Sequence, residues 1–120
     1  MNGIFEHLYI YKELNEVLFE PVCAKYGISL TELAVLLFLD GNLQQDTATD
    51  IVEKMKIAKS SVSASVRNLE EKGLIEGYFE GSNRRTIHLR VCEDAKKIVK
   101  EGRQAQKKFL SVIFQGFSEE

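Results

Sequence analysis

Along most of the chain, apolar side chains recur at steps of three and four residues, the period of a helix with one covered face. In residues 3–25 one set holds Ile4, Leu8, Tyr11, Leu18 and Val22, and a second holds Ile10, Leu14 and Val17. A stripe this broad predicts a helix covered on more than one side, by its own domain and by another subunit. Pro21, the only proline, has no N–H to donate and is expected to kink or end that helix, and Gly27 supplies a break. Ser29 and Glu32 form a capping-box pair ahead of the apolar run 30–39, so a second helix starts there and closes at Asp40-Gly41. Residues 42–46 read as a loop. Thr47 and Asp50 repeat the cap in weaker form before a short third helix with Ile51, Val52 and Met55 on its buried side.

The stretch AKSSVSASVRNL, residues 58–69, has the serine content of a linker. Val62, Val66 and Leu69 nevertheless keep helical register, which a linker has no reason to do, and the expected helix spans 59–72. With those three facing inward, Ser60, Ala64 and Arg67 fall nearly opposite, Ser63 lies to the side, and Lys59 and Ser61 join them at the helix start. Ser65 points toward the core. The helix ends in EEKG, with Gly73 as its C-terminal cap. The period then changes to two. Residues 74–80 and 85–91 are strand candidates, the second with Ile87, Leu89 and Val91 on one face and Thr86, His88 and Arg90 on the other, joined by a turn over 81–84. Glu93 and Asp94 suit a helix N-terminus, and Ala95, Ile98, Val99, Gly102, Ala105, Phe109, Val112 and Ile113 carry a long last helix into a tail with Phe114 and Phe117.

Composition places these elements in one domain. The 120 residues are 44% hydrophobic and 28% charged, an ordinary globular balance. No apolar run reaches the roughly 18 residues of a membrane helix, and MNGIFEHLYIYKEL lacks the order of a signal peptide, so a cytoplasmic protein with no membrane partner is expected. Net charge is −2, but its distribution is uneven: residues 1–50 carry −6, 51–92 carry +3 and 93–120 carry +1. An acidic half joined to a basic middle suits a chain in which one face meets phosphate.

Three helices, a hairpin and long flanking helices describe a mainly α fold with a small β-hairpin, a winged helix-turn-helix. The second helix of its turn motif enters the major groove and its wing touches the backbone or the adjacent minor groove of double-stranded DNA. Lys59, Ser60, Ser61, Ser63, Ala64 and Arg67 are the candidate groove residues. Small side chains let the helix approach base edges, hydroxyls bond phosphate or bases, Ala64 suits a thymine methyl, and Arg67 suits a guanine. Arg84 and Arg85 stand near the hairpin tip, within reach of phosphate or a narrow minor groove. Lys72 and Arg90 read as ordinary surface charges.

On these residues the segment TATDIVEKMKIAKSSVSASVRNLEEKGLIEGYFEGSNRRTIHLRV resembles the winged-helix core of the MarR family of bacterial transcriptional regulators, most specifically in LEEKGLI and NRRTIHLRV. The resemblance extends over residues 3–113. It implies a winged-helix core over 29–91 with its wing at 74–91, flanked by N- and C-terminal dimerisation helices at 3–25 and 93–117 within a single domain 1–120. It implies a homodimer on a pseudo-palindromic operator, usually a repressor, released when a small-molecule effector or an oxidant alters the dimer. It also assigns Arg85 to the wing arginine. The chain departs from the family pattern in several places. Asn83 stands where an aspartate usually braces that arginine, Ala58 where the recognition helix is usually capped, and Cys92 where a threonine usually caps the last helix. Ser118 and the two glutamates of GFSEE look like the first turn of an additional helix.

Other chemistries find little support. No phosphate loop, G-x-S-x-G or H-E-x-x-H is present, and only two histidines occur, neither near a nucleophile in sequence, so no catalytic residue and no cofactor are assigned. Cys23, Cys92, His7 and His88 lack ligand spacing, so no metal site is assigned, and both cysteines read as plain thiols rather than oxidant sensors. Ligand-binding residues are unknown; the space between the first helix and the DNA-binding core is where an effector pocket is expected. The rival reading is a winged helix used as a protein-interaction or structural module without specific DNA binding. Such a module would carry apolar anchors on the face that here is small and basic.

Overall fold

The computed structural model describes residues 3–118, apart from the side chains of His7, Phe117 and Ser118. Helix α1 (Gly3–Leu14) passes through a π turn, Asn15–Phe19, into α2 (Glu20–Tyr26). Pro21 therefore widens the helix rather than ending it. Its ring would press on the carbonyl four residues back, and the chain responds with a looser turn in which the Glu20 N–H reaches Asn15 O, five residues back. The run ends at Gly27, whose φ of 66° is the left-handed cap, and the Ile28 N–H bonds Cys23 O at 3.0 Å.

Helix α3 (Leu30–Gly41) is the centre of the core: Leu33, Val35 and Leu36 are fully buried. Its capping box is complete, with the Glu32 N–H donating to Ser29 Oγ and the Ser29 N–H to Glu32 Oε1, both at 3.0 Å. At its other end Asn42 Nδ2 donates to Phe38 O, and Arg103 reaches across from the last helix to Leu37 O at 2.8 Å and Asp40 at 3.3 Å. Gly41 is needed for that approach, since a Cβ there would stand 2.9 Å from the guanidinium.

Helix α4 (Ala48–Met55) has a capping box as complete as the first, stronger than its sequence suggested, because Asp50 returns the bond to the Thr47 N–H at 3.1 Å. It closes at Lys56, which takes the left-handed conformation at φ 59°. Helix α5 (Lys59–Glu71) follows with Ala58 at its cap and no side-chain cap bond. Val62 and Leu69 are fully buried and Ser65 is buried, as the register predicts.

The hairpin differs from expectation at its tip. Strands β1 (Ile75–Glu80) and β2 (Asn83–Val91) are antiparallel, with Ile75 opposite Val91 and Glu80 opposite Asn83, so the turn is Gly81-Ser82 alone. Asn83 and Arg84, expected in the turn, belong to β2. Gly81 at φ 57° permits the tight connection, and a register irregularity between Tyr78 and Glu80 absorbs the mismatch. The apolar face of the hairpin is covered only near its root. Leu89 is buried, while Ile87 is 55% exposed and lies over Gly77, where a Cβ would meet it at 2.9 Å.

A 3₁₀ turn at Glu93–Ala95 leads into α6 (Lys96–Ser118), and Cys92 at the cap makes no side-chain cap bond. Ala95, Ile98 and Val99 join the core, and Gly102 lets α6 settle onto Leu33 and Leu37. Farther along, Phe109 meets Tyr11 and Phe19 with ring centroids 6.2 and 5.4 Å apart. Ser118 is the last residue of α6 rather than the start of a further helix, and Glu119 and Glu120 lie outside the described residues.

Candidate nucleic-acid interface

The turn motif consists of α4, the short connection 56–58 and α5. The roll of α5 about its axis is fixed on the inside by Val62, Ser65 and Leu69 and by one polar contact. Asn68 Nδ2 donates to Glu32 Oε2 at 2.9 Å, on the same buried carboxylate that completes the α3 cap. Sequence reading missed this pair, because residues 32 and 68 belong to separate helices and nothing local links them.

With the roll fixed, Lys59, Ser60, Ser61, Ser63, Ala64 and Arg67 are all exposed. Lys59 and Ser63 also border a cleft of about 240 Å³ between α5 and α4, with Thr49, Val52 and Glu53 opposite. The wing brings two more cations to the surface. Arg84 lies over the Phe79 ring at 5.1 Å, which gives its guanidinium a platform. The Arg85 N–H donates to Asn83 Oδ1 at 2.9 Å, so Asn83 shapes the backbone of the tip. Among the described residues no carboxylate lies within ion-pair distance of Lys59, Arg67, Arg84 or Arg85. Arg90 contrasts with them: it pairs with Glu76 at 2.7 Å and stacks on Tyr78 at 4.4 Å, a structural surface charge.

A polar cluster at the wing root, centred on Asp46, was also not anticipated. Tyr78 Oη donates to Asp46 Oδ2 at 2.7 Å, His88 Nδ1 lies 2.6 Å from Asp46 Oδ1, and the Leu89 N–H donates to Asp46 O at 2.8 Å. Burial pushes the Asp46 carboxyl up, but the bonds from His88 and Tyr78 outweigh it and hold the group below its ordinary value. The bond to Asp46 raises the His88 imidazole above its ordinary value, and the same carboxylate raises the Tyr78 phenol. The sequence signal was faint: strand alternation put His88 on the face of Thr86 and Arg90, but 42 residues separate it from Asp46.

Cys23 is buried and Cys92 partly so; burial raises both thiols, the opposite of an activated thiolate. A separate cleft of about 500 Å³ opens between the π turn, α3 and α6, lined by Asn15, Phe19, Leu33, Leu37, Phe38 and Arg103 among others. Among the described residues no single helix is long and apolar enough to cross a membrane.

Residues 26–86 match the sequence pattern of the MarR family. Among solved structures, a mutant of S. aureus MepR bound to an oligodeoxyribonucleotide is 19% identical with a TM-score of 0.73, over 96% of this chain and 83% of that one. The S. aureus MepR–DNA complex is 20% identical with a TM-score of 0.68, over 99% and 84%. ZitR of Lactococcus lactis, a zinc-responsive MarR family member, is 22% identical with a TM-score of 0.68, over 78% and 63%. A search of curated protein sequences found no match.

Proposed function

The chain belongs to the MarR family of DNA-binding transcriptional regulators, and from this premise we propose that it is a cytoplasmic, non-enzymatic repressor acting as a homodimer on a pseudo-palindromic duplex operator. The observation that carries the reading is the set of exposed cations on α5 and the wing that no carboxylate of the described chain neutralises. Phosphate supplies the missing charge. Helix α5 enters the major groove, where its serines and Ala64 permit close approach and Arg67 reads a guanine edge. Arg85 reaches from the wing toward the minor groove, and Arg84 holds the adjacent backbone.

Two copies related by a twofold axis place their recognition helices about 34 Å apart, one turn of duplex. The dimer forms through the first helix and the end of α6, where Phe5 is 74% exposed, Val17 68% and Phe114 65%. A small effector fits the apolar cleft beside the π turn, whose walls come from both the terminal helices and α3, so occupancy there alters the angle between dimer and DNA-binding core. A salt series on a duplex from the chain's own promoter region tests the whole. Affinity falls steeply with salt and exceeds that for random duplex of equal length; equal affinity for both sinks the regulator reading.

A further inference from the structure

We propose that Asp46 is the positioning residue of the wing, and that its pairing with His88 makes operator binding depend on one proton. The proposal rests on the reading that the wing meets duplex DNA. Asp46 ends the loop before α4 and immediately precedes Thr47, the α4 cap, so whatever it holds is tied to the start of the turn motif. It holds both strands of the wing. Its carbonyl takes the Leu89 N–H of β2, and its two carboxylate oxygens take Tyr78 of β1 and His88 of β2. Among the described residues the tip itself has the neutral bond from the Arg85 N–H to Asn83 Oδ1 and the contact of Arg84 with the Phe79 ring, but no ion pair from Arg84 or Arg85. The angle at which Arg84 and Arg85 are presented is therefore set at the root.

His88 stands between two carboxylates. Nδ1 faces Asp46 Oδ1 at 2.6 Å, and Nε2 faces Glu80 Oε1 at 3.3 Å. The other polar groups packed around the clamp are Tyr78 on β1, Arg90 stacked on that ring, and Asp50 on α4, whose charge is also felt at the imidazole. A protonated ring donates from Nδ1 to Asp46 and sets its positive charge beside Glu80 of β1, so carboxylates of the loop and of β1 both attract it. A neutral ring keeps one N–H for the Asp46 bond but loses the charge that attracts Asp46 and Glu80. Side-chain exposure is 7% at Asp46 and 67% at Glu80, so water screens the Glu80 contact while the weakening of the charged bond at buried Asp46 goes uncompensated. The Asp46 bond favours the protonated form first, burial opposes it, and the charges of Asp46, Glu80 and Asp50 add to the favourable side. Protonation thus braces the wing and adds a positive charge to it, both of which favour phosphate.

The test uses the full chain. Proton NMR of the imidazole should place the His88 titration above its ordinary value of about 6.5, and Asp46→Asn should move it down. Over the same pH range, the protection factors of the β2 amides, corrected for the intrinsic rise of exchange with pH, should fall in the wild type as the ring deprotonates and stay level in His88→Gln. Binding to a duplex from the chain's own promoter region, measured at constant salt, should weaken roughly threefold to tenfold between about pH 6 and pH 8. His88→Gln should bind with a flat profile over that range. A wild-type His88 titrating at or below about 6.5, or a His88→Gln variant that keeps the pH dependence, overturns the proposal. If the titration and exchange behave as stated and the duplex is not bound at either pH, the regulator reading fails instead, and with it the link from clamp to operator.

Discussion

Arg67 and Arg85 are both exposed, but their supports differ. Arg67 projects from a helix whose roll is fixed by buried Val62, Ser65 and Leu69, whereas Arg85 lies at the start of β2, three residues past the two-residue turn. Arg67→Ala is expected to change which duplexes are preferred and cost roughly 1–3 kcal/mol on the best site. Arg85→Ala should weaken binding more evenly across sequences and reduce the salt slope by about 1, as fluorescence anisotropy over a salt series reads directly. At Asp46 the expectation concerns stability. The lowered Asp46 group contributes stability above its ordinary range and loses it as pH falls through its depressed value. The raised His88 group contributes below its ordinary value and loses it as pH climbs through its elevated one. Asp46→Asn should therefore lower Tm most between those two limits, by roughly 3–8 °C, and the gap should narrow above the His88 titration. A calorimetric series over pH checks this.

At the scale of elements, local chemistry and tertiary contacts divide the control of α5. Its N-terminus lacks a cap bond, and Ala58 has an extended ψ of 141°, close to what a capping side chain needs. Ala58→Ser is expected to stabilise the protein by about 1 kcal/mol, seen as a higher urea midpoint with an unchanged slope. Glu32→Ala removes half of the α3 cap and the acceptor for Asn68 together, so it should cost roughly 1–3 kcal/mol and also weaken duplex binding. The two changes separate stability from positioning, because only the second releases the roll of the helix. The π turn is the other element whose form depends on one residue. Pro21→Ala restores an N–H and allows an ordinary helical turn, which shifts Asn15 and Phe19 at the wall of the 500 Å³ cleft.

For the whole molecule, shape and charge agree. A radius of gyration of 16.1 Å, with extents of 57 × 28 × 23 Å, exceeds the roughly 14 Å of a compact domain of this length. The excess comes from terminal helices that reach beyond the core and keep Ile4, Phe5, Val17 and Phe114 exposed. A second copy covering those faces removes the elongation, and sedimentation at micromolar concentration should return a dimer; a monomer would count against the proposed architecture. The dimer also doubles a basic middle segment of +3 against acidic N-terminal segments of −6, so net charge alone understates the attraction to DNA.

Periodicity and caps were enough to determine the helices, the hairpin strands and the inward and outward faces of α5, because each depends on residues two to four apart. Val62, Val66 and Leu69 decide on their own that the serine-rich segment is a helix. Local spacing also identified Ser29 with Glu32 and Thr47 with Asp50. What it could not reach were contacts between distant segments: Asn68 on Glu32, Arg103 on the end of α3, and His88 with Tyr78 on Asp46. Hydrogen bonds of this kind need two groups placed within about 3 Å, and only packing around Leu33, Leu36 and Ile51 brings those segments together. The hairpin tip shows the same division. Gly81 announced a turn, but strand register decided that Asn83 and Arg84 are part of β2. Sequence alone therefore determined which residues of α5 face outward, and tertiary structure decided the angle at which the chain presents them.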